Sequence, residues 1–101
     1  METQRTINFL TESEVEVIQN NLKYIHSASA IKILNYVIQN GSACPNEITD
    51  AYGISKSLAA FALGKLSMVG LLTRKRIGID VHYSCVNPDA IKTILETALK
   101  L

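Results

Sequence analysis

The sequence predicts a mainly helical domain that carries one small β-hairpin, and three observations predict it. Apolar residues recur at spacings of three and four over most of the chain, the period of a helix face. Between Leu71 and Val86 the period drops to two, with Gly78 and Asp80 at the centre, as in a hairpin. The chain has 101 residues, 48% hydrophobic and 19% charged, which suits one packed core and is too apolar for a disordered segment. The expectation is one domain over residues 1–101, with no internal repeat or linker.

The elements follow in order. Thr11-Glu12-Ser13-Glu14 places a hydroxyl three residues before a carboxylate, the reciprocal cap that satisfies orphan backbone donors at a helix start. It predicts a first helix from about Thr11 to His26, with Val15, Ile18, Leu22 and Ile25 as its apolar stripe. A second helix runs from about Ser29 through Ile31, Leu34, Val37 and Ile38 to Gly41; both of its faces are rather apolar, which makes it central. Pro45 suits the first turn of a short third helix whose inward residues are Ile48 and Ala51 and which Gly53 breaks. Ser55 then caps a fourth helix, Lys56 to Val69, with Ala59, Leu63 and Leu66 inward and Gly70 ending it. After the hairpin, Asn87-Pro88-Asp89 supplies a cap, a first-turn proline and an acid at the positive end of a last helix running to Leu101. Its apolar face is Ile91, Ile94, Leu95, Ala98 and Leu99.

Two helices joined by a short turn containing Gly, followed at once by a hairpin, describe a winged helix-turn-helix. This arrangement offers one helix to a major groove and a hairpin to the neighbouring backbone. The net charge of +1 by itself argues against a nucleic-acid partner, but its distribution does not. Residues 1–50 hold three basic and six acidic residues, a net of −3; residues 51–86 hold five basic residues and one acid, a net of +4; residues 87–101 balance two against two. The positive share is Lys56, Lys65, Arg74, Lys75 and Arg76, on the second helix of the motif and on the wing, where phosphates would lie. The competing reading of Arg74–Arg76 is charge that protects an edge strand from aggregation, but the place beside a helix-turn-helix favours phosphate contact.

From about Ile18 to the C-terminus the sequence resembles the ArsR/SmtB family of small dimeric winged-helix repressors. The matching stretches are Ile31-Lys32-Ile33-Leu34, Glu47-Ile48, Gly53-Ile54-Ser55-Lys56-Ser57, Leu63 and Leu66, Gly70-Leu71-Leu72, and Val81-His82-Tyr83. The resemblance implies a homodimer on two-fold operator DNA, with residues 11–26 and 88–101 as dimerisation helices. It also implies where the family's metal ligands would stand, and this chain departs there. The Cys-x-Cys box is reduced to Cys44-Pro45-Asn46, and in the last helix Asp89 is the only candidate ligand, with no His after it. A metal site needs three or four placed ligands, so no metal or other cofactor is expected.

Two cysteines are too few for a disulfide framework, and a reducing cytoplasm is the expected setting. In winged helices the segment before the third helix pairs with the returning strand of the wing, which would bring Cys44 and Cys85 together as a redox pair; some relatives sense oxidants with paired thiols. The competing reading is that free Cys behaves as a small hydrophobe, and Cys85 stands where the family usually has a buried Leu. Met1–Leu10 has no basic segment leading into an apolar run, and no stretch approaches a membrane span, so a soluble protein with no membrane partner is expected. His26 and His82 lack acidic or hydroxyl partners at a catalytic spacing, Gly-rich phosphate motifs are absent, and no enzyme is expected.

The recognition helix is the least typical part. Its outward positions are Lys56, Ser57, Ala60, Phe61 and Gly64, flanked by Leu58 and Lys65, where the family usually has polar residues, often His, at the places of Ala60 and Phe61. Lys56 and Ser57 suit hydrogen bonds to base edges or phosphates; Leu58, Ala60 and Phe61 suit thymine methyl groups, or Phe61 fills the core if the helical phase is shifted by one residue. Backbone and shape readout should therefore outweigh base hydrogen bonds. The leading expectation is a homodimeric, sequence-specific transcriptional repressor of double-stranded DNA. A second is a protein similar to the TubR-type centromere-binding proteins of plasmid and phage partition, which recruit a filament-forming partner. A third is a winged helix used for protein interaction.

Overall fold

A computed structural model describes residues 9–101; residues 1–8, and with them the first part of the expected domain and the N-terminal reading of Met1–Leu10, lie outside the described residues. Five helices and one hairpin follow in the expected order: α1 Glu12–Lys23, α2 Ala28–Asn40, α3 Pro45–Tyr52, α4 Lys56–Met68, β1 Leu72–Ile77, β2 Asp80–Cys85 and α5 Pro88–Leu99. This is a winged helix-turn-helix, mostly helical, with a two-stranded antiparallel sheet.

Local chemistry sets the element boundaries. The Thr11 hydroxyl accepts from the Glu14 N–H at 3.1 Å, while the Thr11 N–H donates to the Glu14 carboxylate at 2.8 Å, which closes the reciprocal cap of α1. That helix stops at Lys23, short of the expected His26. Ser27 takes an extended backbone to cap α2, accepting from the Ala30 N–H at 3.1 Å, so the chain must leave the helix before it. Ile25 keeps the apolar period across this break and is buried, but as a residue of the turn. Gly53, at φ 72°, takes the left-handed conformation that turns α3 into the cap of α4.

Helix α2 is central, packing on α3, α4, α5 and β2. Its Ile33, Leu34 and Val37 meet Ile48 of α3, Leu63 and Leu66 of α4, Leu72 of β1, Tyr83 of β2 and Ile91 of α5 in one core. One inward assignment is corrected: Ala51 is exposed, and the second inward residue of α3 is Tyr52, one turn after Ile48. The Tyr52 ring meets Tyr36 edge to face, with centroids 6.5 Å apart and planes at 72°.

The strands pair from Leu72 opposite Cys85 to Ile77 opposite Asp80, closed by the two-residue loop Gly78-Ile79 with Gly78 at φ 65°. Ala43 adds a short bridge to the sheet, exchanging backbone bonds of 2.9 and 2.8 Å with Tyr83. None of the residues of α1 is buried; Val15, Ile18 and Leu22 remain 44, 43 and 47% exposed on its apolar stripe. At the other end of the chain, Ile91 is buried, Ile94 and Leu95 are half-buried, and Leu99 is exposed. The radius of gyration is 16.0 Å, above the roughly 13 Å of a compact domain of this length.

Candidate nucleic-acid interface

The Ser55 hydroxyl accepts from the Leu58 N–H at 3.1 Å and fixes the start of α4. Ala59, Leu63 and Leu66 then point into the core, all at most 2% exposed, which sets the phase of the helix. At 100° per residue, Ser57, Phe61, Gly64 and Met68 fall on the opposite, outer line. Lys56 and Ala60 lie on the flank toward the wing, lining a cleft with Pro45, Ile79, Val81 and Tyr83. Leu58, Ala62 and Lys65 lie on the other flank, toward the α1–α2 turn.

Lys56, Ser57, Leu58, Ala60, Phe61 and Lys65 are thus all exposed on one helix. Phe61 is 67% exposed, so the core-filling alternative for it is excluded. Met68, 83% exposed, belongs to the same outer line and was not anticipated, although its spacing of seven from Phe61 and four from Gly64 carries the signal. Apolar residues therefore run round the whole helix, with Leu58, Phe61 and Met68 open to solvent.

In the wing, the register divides the basic cluster. Arg74 stands opposite Tyr83 and Arg76 opposite Val81, so the two arginines share the sheet face that carries the buried Tyr83. Lys75 pairs with His82 on the other face. All three are exposed, and Asp80, the acid of this segment, sits at the tip opposite Ile77.

The expected pairing of the segment before α3 with β2 is present, but its register separates the thiols. The antiparallel bridge sets Ala43 opposite Tyr83, so Cys44, one residue further on, and Cys85, two residues further on, run away from each other in opposite directions. That offset is three residues along the strands, on the order of 10 Å and with side chains on opposite faces, whereas a disulfide needs Cα atoms within about 7 Å. Both thiols are free, and burial pushes the Cys85 thiol above its ordinary pKa, away from thiolate reactivity. Cys44 instead caps α3, its N–H donating to the Glu47 carboxylate at 3.0 Å.

His26 is exposed beside the α1–α2 turn, His82 is half-buried in β2, and Asp89 is exposed in the first turn of α5. Among the described residues no three His, Cys, Asp or Glu side chains converge as metal ligands. No helix among the described residues is long and apolar enough to cross a membrane.

Solved structures share this architecture. The AntR antimony-specific transcriptional repressor superposes with a TM-score of 0.84 at 20% identity, over 98% of this chain and 88% of that one. HlyU from Vibrio cholerae gives 0.77 at 18% identity, over 90% of this chain and all of the other. The homodimeric winged helix-turn-helix DNA-binding domain of Mb0332 from Mycobacterium bovis, a possible ArsR-family regulator, gives 0.70 at 17% identity, over 92 and 88%. No family model matches the sequence, and no curated protein matches it. At these identities the likeness establishes the winged helix-turn-helix fold.

Proposed function

We propose that the protein is a homodimeric DNA-binding transcriptional repressor of the ArsR type, acting in the cytoplasm without a metal effector. The observation that carries this is the coincidence of charge and fold: the +4 segment, residues 51–86, contains α4 and the wing, while residues 1–50 are net acidic. In this reading α4 enters the major groove, with Lys56 and Ser57 on bases or phosphates and Leu58, Ala60 and Phe61 against thymine methyl groups. Arg74, Lys75 and Arg76 hold the backbone from the wing, and Lys65 adds flanking charge.

The exposed stripe of α1 and the exposed C-terminal end of the α5 stripe support a two-fold dimer whose α4 helices meet the duplex about one turn apart. The structural neighbours AntR and PagR of Bacillus anthracis are transcriptional repressors, in agreement with occlusion of a promoter. A duplex titration at two salt concentrations tests the reading: affinity must fall steeply as salt rises, and flat or absent binding would refute it.

The exposed Leu58, Phe61 and Met68 favour a second reading, a centromere-binding protein that recruits a filament-forming partner. Footprinting separates the two. One short palindrome supports the repressor, and cooperative coverage of an array of repeats supports partition.

A further inference from the structure

A groove of about 400 Å³ lies between α4 and the turn that joins α1 to α2. We propose that it binds a small aromatic carboxylate, and that the bound acid competes with DNA for α4. The first statement stands on the groove alone; the second rests on the DNA-binding reading above.

The volume lies within the range of small-molecule sites, roughly 300 to 1,000 Å³. Its floor is the buried Ala30 and Leu66, and its walls are Tyr24, Leu58, Phe61 and Ala62. Such a lining takes a flat apolar body, with two aromatic rings available for stacked or edge-on contact. The formally charged side chains that line it are of one sign, with His26, Ser27 and Ser29 beside them. The Lys23 and Lys65 ammonium groups, from α1 and α4, converge on the Tyr24 ring, 5.7 and 5.6 Å from its centroid. Lys65 lies also 5.9 Å from the Phe61 ring.

Among the described residues no Asp or Glu lines the groove. Ser27 and Ser29, at the N-terminal end of α2, do line it, and the first turn of that helix carries no acid to offset its positive dipole end. Two ammonium groups and an uncompensated helix start around an apolar slot are complementary to a carboxylate on an aromatic body. A neutral or cationic body of the same shape lacks that complement. Leu58, Phe61 and Lys65 belong both to this groove and to the exposed side of α4, so an occupant covers atoms that a duplex would touch.

The probe is 1-naphthoate, titrated into the full-length protein and followed by amide NMR, with 1-naphthamide as the uncharged comparison. Saturable shifts are expected at Tyr24, Ala30, Leu58, Ala62 and Lys65, and the amide should bind at least fivefold more weakly. Lys23→Gln should weaken naphthoate at least fivefold; Lys23 has no part in the proposed DNA contact, so DNA affinity without the acid should match the wild type. Ala62→Phe fills the slot and should abolish the shifts, with circular dichroism confirming that the variant folds. Absence of saturable binding, shifts confined to other parts of the chain, or equal binding of the amide overturns the site. In a parallel anisotropy titration, saturating naphthoate should raise the Kd for duplex DNA at least threefold, and an unchanged Kd overturns the competition. If the protein binds no DNA at all, the regulator reading fails, while the NMR titration still decides the site.

Discussion

Replacing Arg74 and Arg76 together by Ala tests the placement of the wing on phosphate. Both side chains are exposed and share one sheet face, and neither occupies the core, so the fold should persist. If each contacts one phosphate in each protomer, the dimer loses about four contacts, and the slope of log affinity against log salt becomes shallower by about 3.6. Between 50 and 200 mM salt, such a change corresponds to a difference on the order of 10²-fold in how steeply binding falls. Fluorescence anisotropy over a salt series, on a specific and a scrambled duplex, reads both slopes. The loss should be alike on the two duplexes, because phosphate contacts carry no sequence information. Lys75→Ala is the internal comparison: it lies on the opposite face beside His82 and should change the slope less than the arginine pair does. An unchanged slope in the double variant, or a loss confined to the specific duplex, refutes the assignment.

Three further outcomes are expected. Ile18→Asp should monomerise the protein in sedimentation velocity runs, since Val15, Ile18 and Leu22 are each over 40% exposed and covering a side chain of this kind contributes about 1.5–3 kcal/mol when complete, less from half-exposure; a monomeric wild type contradicts this. Gly64→Ala should stabilise the fold by about 0.5–1 kcal/mol, read as a rise in Tm of several degrees, because glycine in a helix interior is unfavourable and an added Cβ meets nothing within 4 Å. Intact mass under nonreducing conditions after mild oxidation should show two free thiols, as the strand register keeps Cys44 and Cys85 apart and burial holds the Cys85 thiol protonated; an internal disulfide contradicts it.

Elements whose signals are local were legible in the sequence. The cap at Ser55, the inward spacing of Ala59, Leu63 and Leu66, and the change of period at the hairpin each lie within a few residues, and the structure follows them. The end of α1 was misplaced because Ile25 continues the apolar period, while the extended backbone that Ser27 needs is a competing demand of the next helix. Ala51 and Tyr52 exchange roles because the inward face of a two-turn helix is too short to fix by periodicity. The pairing of the segment before α3 with β2 was legible, but not its register, which is set by which backbone groups meet. The groove beside α4 was not legible at all: it joins residues 23–30 to 58–66, and only the packing of α4 on α2 brings these segments together.

The unburied stripe of α1 also bears on how the protein would respond to its own abundance. If a second copy covers that face, as proposed above, dimer formation and much of the stability of α1 would become a single mass-action equilibrium. Below the dissociation constant of that equilibrium, the population of two-fold species grows as the square of the chain concentration. DNA occupancy would then switch on over a narrower range of expression than one-to-one binding allows, a threshold that needs no bound effector.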